Sequence, residues 1–270
     1  MPPYRLLAID LDDTLFNNQL GITPRNREAI RAAQQAGVAV TLATGRMFRS
    51  AQPIAQLLNI TLPIIAYQGA LIAQPQTGDY LVHRPLPSEV AHSVISFIKP
   101  LDFHINLYLN DKLYMQQLTV YGRRYAALSG VDAYPVGDLV SFLADRAPTK
   151  LVAIGEPPEI DRLLGQTFPI LSRVVHLTKS KPQFLEFSHP TATKGQALEW
   201  LAGHYGFKRE EVLAIGDGYN DIDMVEWAGL GVMMGNAPEP VKALADHVAP
   251  ANYQDGVADT IERFVLNELA

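Results

Sequence analysis

The chain has 270 residues, 48% of them hydrophobic and 19% charged, with a formal net charge of −6. That is enough apolar material for a sizeable buried core, and the acidic balance argues against a broad nucleic-acid-binding surface. Cysteine is absent, which excludes disulfides, zinc–thiolate sites and thiol catalysis.

Along the chain, Leu6-Leu7-Ala8-Ile9 is a short apolar run that predicts a buried strand ending at Asp10-Leu11-Asp12-Asp13-Thr14. Thr23 as N-cap and Pro24 at the first turn predict an amphipathic helix through Gln35, stopped by Gly37. A second buried strand, Val38 to Ala43, leads to Thr44-Gly45-Arg46. A helix from about Phe48 to Leu58 and a strand from Pro63 to Tyr67 follow. Apolar strands alternating with helices imply a parallel sheet covered on both faces.

The middle of the chain is more mixed and rich in proline. Helix-like stretches (Val90 to Ile98, Glu159 to Thr167) alternate with strand-like ones (Phe103 to Leu109, Leu151 to Gly155, Arg173 to Thr178). From Lys194 the first pattern resumes, with a helix to about Tyr205 and a strand Val212 to Gly216 that ends at Asp217. A helix near Asn220, a strand Gly231 to Met234, a helix from Pro238 and a closing amphipathic helix Gly256 to Leu269 complete it. The expectation is an α/β protein: a doubly wound, Rossmann-like parallel-sheet core formed by 1–83 and 185–270. Residues 84–184 form an α+β unit inserted into it.

The polar residues concentrate at predicted strand ends, where ligands bind in open parallel sheets. Residues two apart on a strand share a face, so Asp10 and Asp12 should point the same way. Carboxylates held that close resist burial unless a cation or proton sits between them. Thr193-Lys194-Gly195 stands at a helix start, where a lysine meets the positive end of the helix dipole and makes electrostatic sense with an anion in front of it. Together these clusters supply carboxylates for a hard cation, and a hydroxyl, backbone N–H groups and an ammonium for a phosphate.

In order, Asp10-x-Asp12-x-Thr14, Ala43-Thr44-Gly45-Arg46, Lys194 and Gly216-Asp217-Gly218-x-Asn220-Asp221 resemble the haloacid dehalogenase superfamily of phosphatases. The resemblance is to its Cof-like branch, which carries a large α/β cap between the second and third motifs. Tyr67-Gln68-Gly69-Ala70, Glu186-Phe187-Ser188, Met234-Gly235-Asn236-Ala237 and Asp255-Gly256-Val257 look like that branch too. Asp13 stands where many members have glycine, and Gln68 where asparagine is more usual.

The resemblance implies a Mg²⁺-dependent phosphatase for a small phosphorylated metabolite, of the sugar-phosphate or phosphorylated-cofactor class. Asp10 would be the nucleophile, forming an aspartyl-phosphate. Asp12 would be general acid, then general base, its starting proton favoured by its like-charged neighbour. Thr44, Gly45, Lys194 and Asn220 would bind phosphate. Asp10, the carbonyl of Asp12 and Asp217 would hold the metal, with Asp221 behind them on metal-bound water or a ligand. Tyr108, Lys112, Arg123 and Arg124 are cap candidates for choosing the substrate, and His189 is the one histidine to watch. A phosphomutase and a non-enzymatic phospho-acceptor or phosphate-binding module are the alternatives. With no signal-peptide pattern at Met1-Pro2-Pro3-Tyr4-Arg5 and no bilayer-length apolar run, a cytoplasmic monomer or small homo-oligomer is expected, without membrane or nucleic-acid partners.

Overall fold

Leu6–Ile9 is the central strand of the fold in the computed structural model, which describes residues 3–266. All four side chains are fully buried because they alternate between two cores. Leu7 and Ile9 join Ile30, Ala33 and Ile261 on one face, while Leu6 and Ala8 join Ala197, Leu198 and Leu201 on the other. Burying one such aliphatic side chain stabilises the fold by about 1.5–3 kcal/mol, which accounts for an unbroken apolar run in place of an alternating one.

Five parallel strands stand in the order His247–Ala249, Leu230–Met234, Val212–Gly216, Leu6–Ile9, Ala39–Leu42. The chain first steps from Leu6–Ile9 to Ala39–Leu42 on one side, and after a long excursion adds Val212–Gly216 on the other. That reversal opens a crevice beyond the carboxyl ends of Leu6–Ile9 and Val212–Gly216. The helices Pro24–Gln35, Phe48–Leu57 and Lys194–Tyr205 lie within a residue of their expected bounds. Thr23 caps the first of them, its hydroxyl accepting from the Asn26 N–H at 3.2 Å, and Gly37 follows it at φ +86°. The closing helix spans Gly256–Phe264; the part of its expected range at 267–269 lies outside the described residues.

The strand expected at Pro63 to Tyr67 exists as Ile64–Ala66, but it does not extend the parallel sheet. One parallel bridge, Ala43 to Ile65, touches that sheet; the strand then pairs antiparallel with Leu71–Ala73, which pairs with Tyr80–His83. The cause is a left-handed turn at Tyr67 (φ +53°), Gln68 (φ +59°) and Gly69 (φ +97°), which sends the chain straight back.

A second sheet of six strands follows, ordered His176–Lys181, Phe184–Ser188, Lys150–Ile154, His104–Leu109, Lys112–Met115, Ala133–Pro135. It is antiparallel except at its last pair. Helices Ser88–Ile98 and Pro157–Leu171 pack on one face against Leu107, Leu151, Leu185 and Phe187. The other face turns Tyr108, Val152 and Phe184 towards the parallel-sheet unit. Phe184–Ser188 pairs along its whole length with Lys150–Ile154, so a junction at 184/185 would cut a strand from its sheet. We therefore draw the return to the core after Ser188. The strand expected at Arg173 to Thr178 starts later, at His176, because the preceding helix runs on to Leu171. Among the described residues, no helix is long and apolar enough to cross a membrane.

Candidate active site

The strand Leu6–Ile9 delivers Asp10 to the crevice, and the Asp10 N–H adds one more rung to the sheet by donating to the Ile215 carbonyl at 3.0 Å. The chain then leaves extended geometry in a wide turn closed by Leu15 N–H to the Asp10 carbonyl (3.3 Å) and Phe16 N–H to the Leu11 carbonyl (2.9 Å). Asp13 occupies the left-handed region at φ +63°, which a short polar side chain tolerates better than most. The period of two therefore stops at Ile9. Asp10 and Asp12 both border the crevice but take different partners.

Asp10 is buried against Lys194, the first residue of its helix, with Thr193 as N-cap. The Lys194 ammonium donates to Asp10 Oδ1 and to Asp221 Oδ1, each at 2.5 Å, with all three groups out of water. The anions in front of that helix start are thus the chain's own carboxylates. Asp221 uses its second oxygen to accept from the backbone N–H groups of Asp217 (3.0 Å) and Gly218 (2.9 Å), closing the loop after Val212–Gly216. Gly216 is required for this: a Cβ there would stand 2.5 Å from the Asp221 side chain. Thr14, fully buried in the neighbouring loop, donates to Asp217 Oδ1 at 2.9 Å.

This geometry sets the charges. Burial pushes the Asp10 carboxyl up to about 7, Lys194 opposing and Asp221 and Asp12 adding to the rise. Burial, then the charges of Asp10 and Asp221, push Asp217 up to about 9. For Lys194, burial favours the neutral amine, but Asp10 and Asp221 outweigh it and hold the ammonium firmly charged. One carboxylate oxygen each from Asp10, Asp217 and Asp221 lie within 4.8 Å of one another. Three carboxylates against one ammonium leave excess negative charge on hard oxygen donors, the donor set and charge that a small divalent cation fits.

Asp12 behaves differently from expectation. Arg46 grips it with two hydrogen bonds, Nε to Oδ2 at 2.8 Å and Nη2 to Oδ1 at 2.7 Å, while the guanidinium also lies over the Phe16 ring. Burial alone would raise the Asp12 pKa, but this bidentate pair overrides it and holds the carboxyl below its usual range. The like-charged neighbour does not decide its protonation; the arginine does.

The expected phosphate-binding groups are spread around the same crevice. Gly45 and Asn220 line it, the Asn220 amide donating to Gln68 Oε1 at 3.1 Å. Thr44 does not line it: fully buried, its hydroxyl accepts from the Arg46 N–H at 3.1 Å and so shapes the turn. Lys194 lies beneath the crevice floor, joining Asp10 to Asp221. Tyr67 and Gln68 cost about 1–2 kcal/mol each in their left-handed backbone, a strain the fold sustains where it turns Gln68 into the crevice.

None of the four cap candidates reaches the crevice wall. Tyr108 is buried edge-on to Tyr67, Lys112 lies over Tyr134, and Arg123 and Arg124 are exposed and do not line it. Tyr125, Leu128 and Ser129, from the helix Val120–Ser129, line it instead. Ser180, Lys181, Phe184 and Glu186 line it from the second sheet. Two periodicities would have found most of them once the elements were known: three and four on the helix, two on the strand, where Phe184 and Glu186 alternate with buried Leu185 and Phe187. Glu186 also receives the buried Lys150 ammonium at 2.7 Å, and Lys150 reaches the Gly45 carbonyl at 2.8 Å. His189 stands outside the crevice, paired with Thr191.

Residues 7–261 match the sequence profile of the haloacid dehalogenase-like hydrolases. The phosphatase YwpJ of Bacillus subtilis is 31% identical, with 97% of this chain and 100% of that protein covered. The 5-amino-6-(5-phospho-D-ribitylamino)uracil phosphatase YcsE of the same organism is 30% identical, with 97% and 96% covered. Among solved structures, a haloacid dehalogenase-like hydrolase from Bacteroides thetaiotaomicron superposes with a TM-score of 0.87 at 32% identity, covering 96% of this chain and 99% of that one.

Proposed function

The chain belongs to the haloacid dehalogenase-like hydrolases, and we propose that it is a phosphatase that releases phosphate from a small phosphorylated metabolite through an aspartyl-phosphate on Asp10. One observation carries this reading. Asp10, Asp217 and Asp221 converge around Lys194 at the sheet's topological reversal, in a crevice that Gly45 and Asn220 also line.

Asp10, the main-chain carbonyl of Asp12 and Asp217 would hold Mg²⁺, which supplies charge neutralisation between an anionic phosphate and an anionic nucleophile. Asp221, with both oxygens engaged, acts by fixing Lys194 and the Asp217–Gly218 backbone. The Asp10 carboxylate attacks phosphorus, the bond to the leaving alcohol breaks, and Asp12 gives that oxygen a proton. In the second half, Asp12 takes a proton from water as the water oxygen attacks phosphorus, freeing phosphate and restoring Asp10. Lys194 steadies the nucleophile, while Gly45 and Asn220 meet the phosphoryl oxygens and Thr44 holds the Gly45–Arg46 turn that presents them. Arg46 must part from Asp12 before Asp12 carries a proton, and an incoming phosphate offers the guanidinium an alternative anionic partner.

The crevice lining contributed by the inserted unit supports a substrate class. Tyr125 and Phe184, edge to face at 5.4 Å, give an aromatic surface; Ser129, Ser180 and Lys181 add polar contacts. That mixture suits a phosphorylated polyol, alone or joined to a planar ring. The chain's relative YcsE carries the name of a phosphatase for a phosphate of that second kind.

The test is hydrolysis of an aryl phosphate by the purified protein after chelation and again after Mg²⁺ is supplied. Activity should vanish and return, and Asp10→Asn should stay inactive throughout. Full turnover by Asp10→Asn ends the covalent reading.

A further inference from the structure

We propose that the side-chain amide of Gln68 is itself a donor to a phosphoryl oxygen, standing beside the Gly45 N–H and Asn220; the inference rests on the phosphatase reading above. Gln68 is only 2% exposed, yet it borders the crevice. Its Oε1 is taken by the Asn220 amide at 3.1 Å, while its Nε2 has no hydrogen-bond partner among the described residues. A buried donor left in that state is costly, and one that faces a ligand site is satisfied by the ligand.

The surroundings say which part of the ligand. The Gln68 amide packs against Gly45, its Nε2 end nearest: a Cβ on that glycine would stand 2.5 Å from Nε2. Its own backbone N–H donates to the Thr44 carbonyl at 3.0 Å, tying it to the same loop. Both side-chain neighbours, Gly45 and Asn220, are core residues already assigned to phosphate. The aromatic and polar groups that would meet the alcohol come from the inserted unit. An anionic phosphoryl oxygen is also a stronger acceptor than an alcohol oxygen. Two successive left-handed non-glycine residues, Tyr67 and Gln68, present this side chain, and Gly69 completes the turn where a Cβ would meet the Thr193 carbonyl at 2.2 Å. The turn is therefore wedged against the residue that precedes Lys194.

Gln68→Met keeps the size and removes the donor without adding charge. The expected result is a loss of about 10- to 100-fold in kcat/KM, similar for aryl and alkyl phosphates, with a comparable weakening of inorganic-phosphate binding measured by calorimetry. Gly45→Ala, whose methyl displaces the amide, should weaken phosphate binding in the same direction. Bracing of Asn220 is separated from direct donation by repeating Gln68→Met in an Asn220→Ala background: a further loss of phosphate affinity supports donation, and no further loss overturns it. A loss confined to one leaving group also overturns it. Should wild type bind phosphate but hydrolyse no ester, the phosphatase reading falls, and Gln68 is judged by the phosphate affinities alone. Wild type that binds no phosphate with Mg²⁺ present overturns the donor assignment.

Discussion

Lys150→Met perturbs a buried ion pair within the six-stranded sheet whose ammonium also reaches across to the loop at Gly45. The Lys150 ammonium is 1% exposed, donates to Glu186 Oε2 at 2.7 Å and to the Gly45 carbonyl at 2.8 Å, and lies over the rings of Tyr67 and Tyr108. Removing one partner of such a pair leaves the other charge stranded, at a cost of about 3–5 kcal/mol. Glu186 borders the crevice and keeps some access to water, so about 3 kcal/mol, the lower end, is expected here. At about 2–4 °C per kcal/mol, that is a fall in Tm of roughly 6–12 °C. The double variant Lys150→Met/Glu186→Leu removes both charges and should recover at least half of the loss, because what is costly is the unpaired carboxylate rather than the missing bond. Activity should fall in both variants, since the peptide following Gly45 loses the donor that fixes its plane. Thermal melts of wild type, Lys150→Met and the double variant form the assay. A single variant melting within about 2 °C of wild type, or a double variant no more stable than the single, refutes the argument.

Two further outcomes follow from the acidic cluster. Thr14→Val removes the hydroxyl that donates to Asp217 Oδ1, and should weaken divalent-metal affinity about 10- to 100-fold with little change in Tm; unchanged affinity by calorimetry would show that Asp217 needs no such orientation. Asp10 at about 7 and Asp217 at about 9 lie above ordinary carboxyls, so the metal-free fold binds protons more tightly than the unfolded chain. Its Tm in chelator should therefore gain from these two groups as pH falls from about 9 towards 6, while metal affinity falls because protons compete. Calorimetry in two buffers of different ionisation heat should report proton release on Mg²⁺ binding at pH 7; uptake, or no exchange, would contradict the assignment.

Much of the core was legible because its signals are local. Leu6–Ile9 and Val212–Gly216 are unbroken apolar runs with polar ends, and Thr23 and Thr193 mark helix starts by their own hydroxyls. Asp10 and Asp217 could be nominated because each follows such a strand, Lys194 because it opens such a helix, and Asp221 because it lies in the polar loop after Val212–Gly216. What stayed hidden depends on partners distant in sequence. The hairpin after Ile64–Ala66 turns on left-handed backbone at Tyr67 and Gln68, residue types that give no turn warning. The state of Asp12 depends on Arg46, 34 positions away, and its alternation with Asp10 ended when the strand did. The cap candidates failed for a related reason. Polarity nominates a residue, but only sheet register says which face it takes: Tyr108 turned out to be core, and Phe184 and Glu186 to be wall.

The most direct test is mass spectrometry of protein quenched in acid during turnover of an aryl phosphate with Mg²⁺. A phosphoryl group on the peptide that carries Asp10, absent from Asp10→Asn, is the result this account predicts. Steady hydrolysis with no phosphorylated Asp10 at any quench time, and with Asp10→Asn still active, would contradict it.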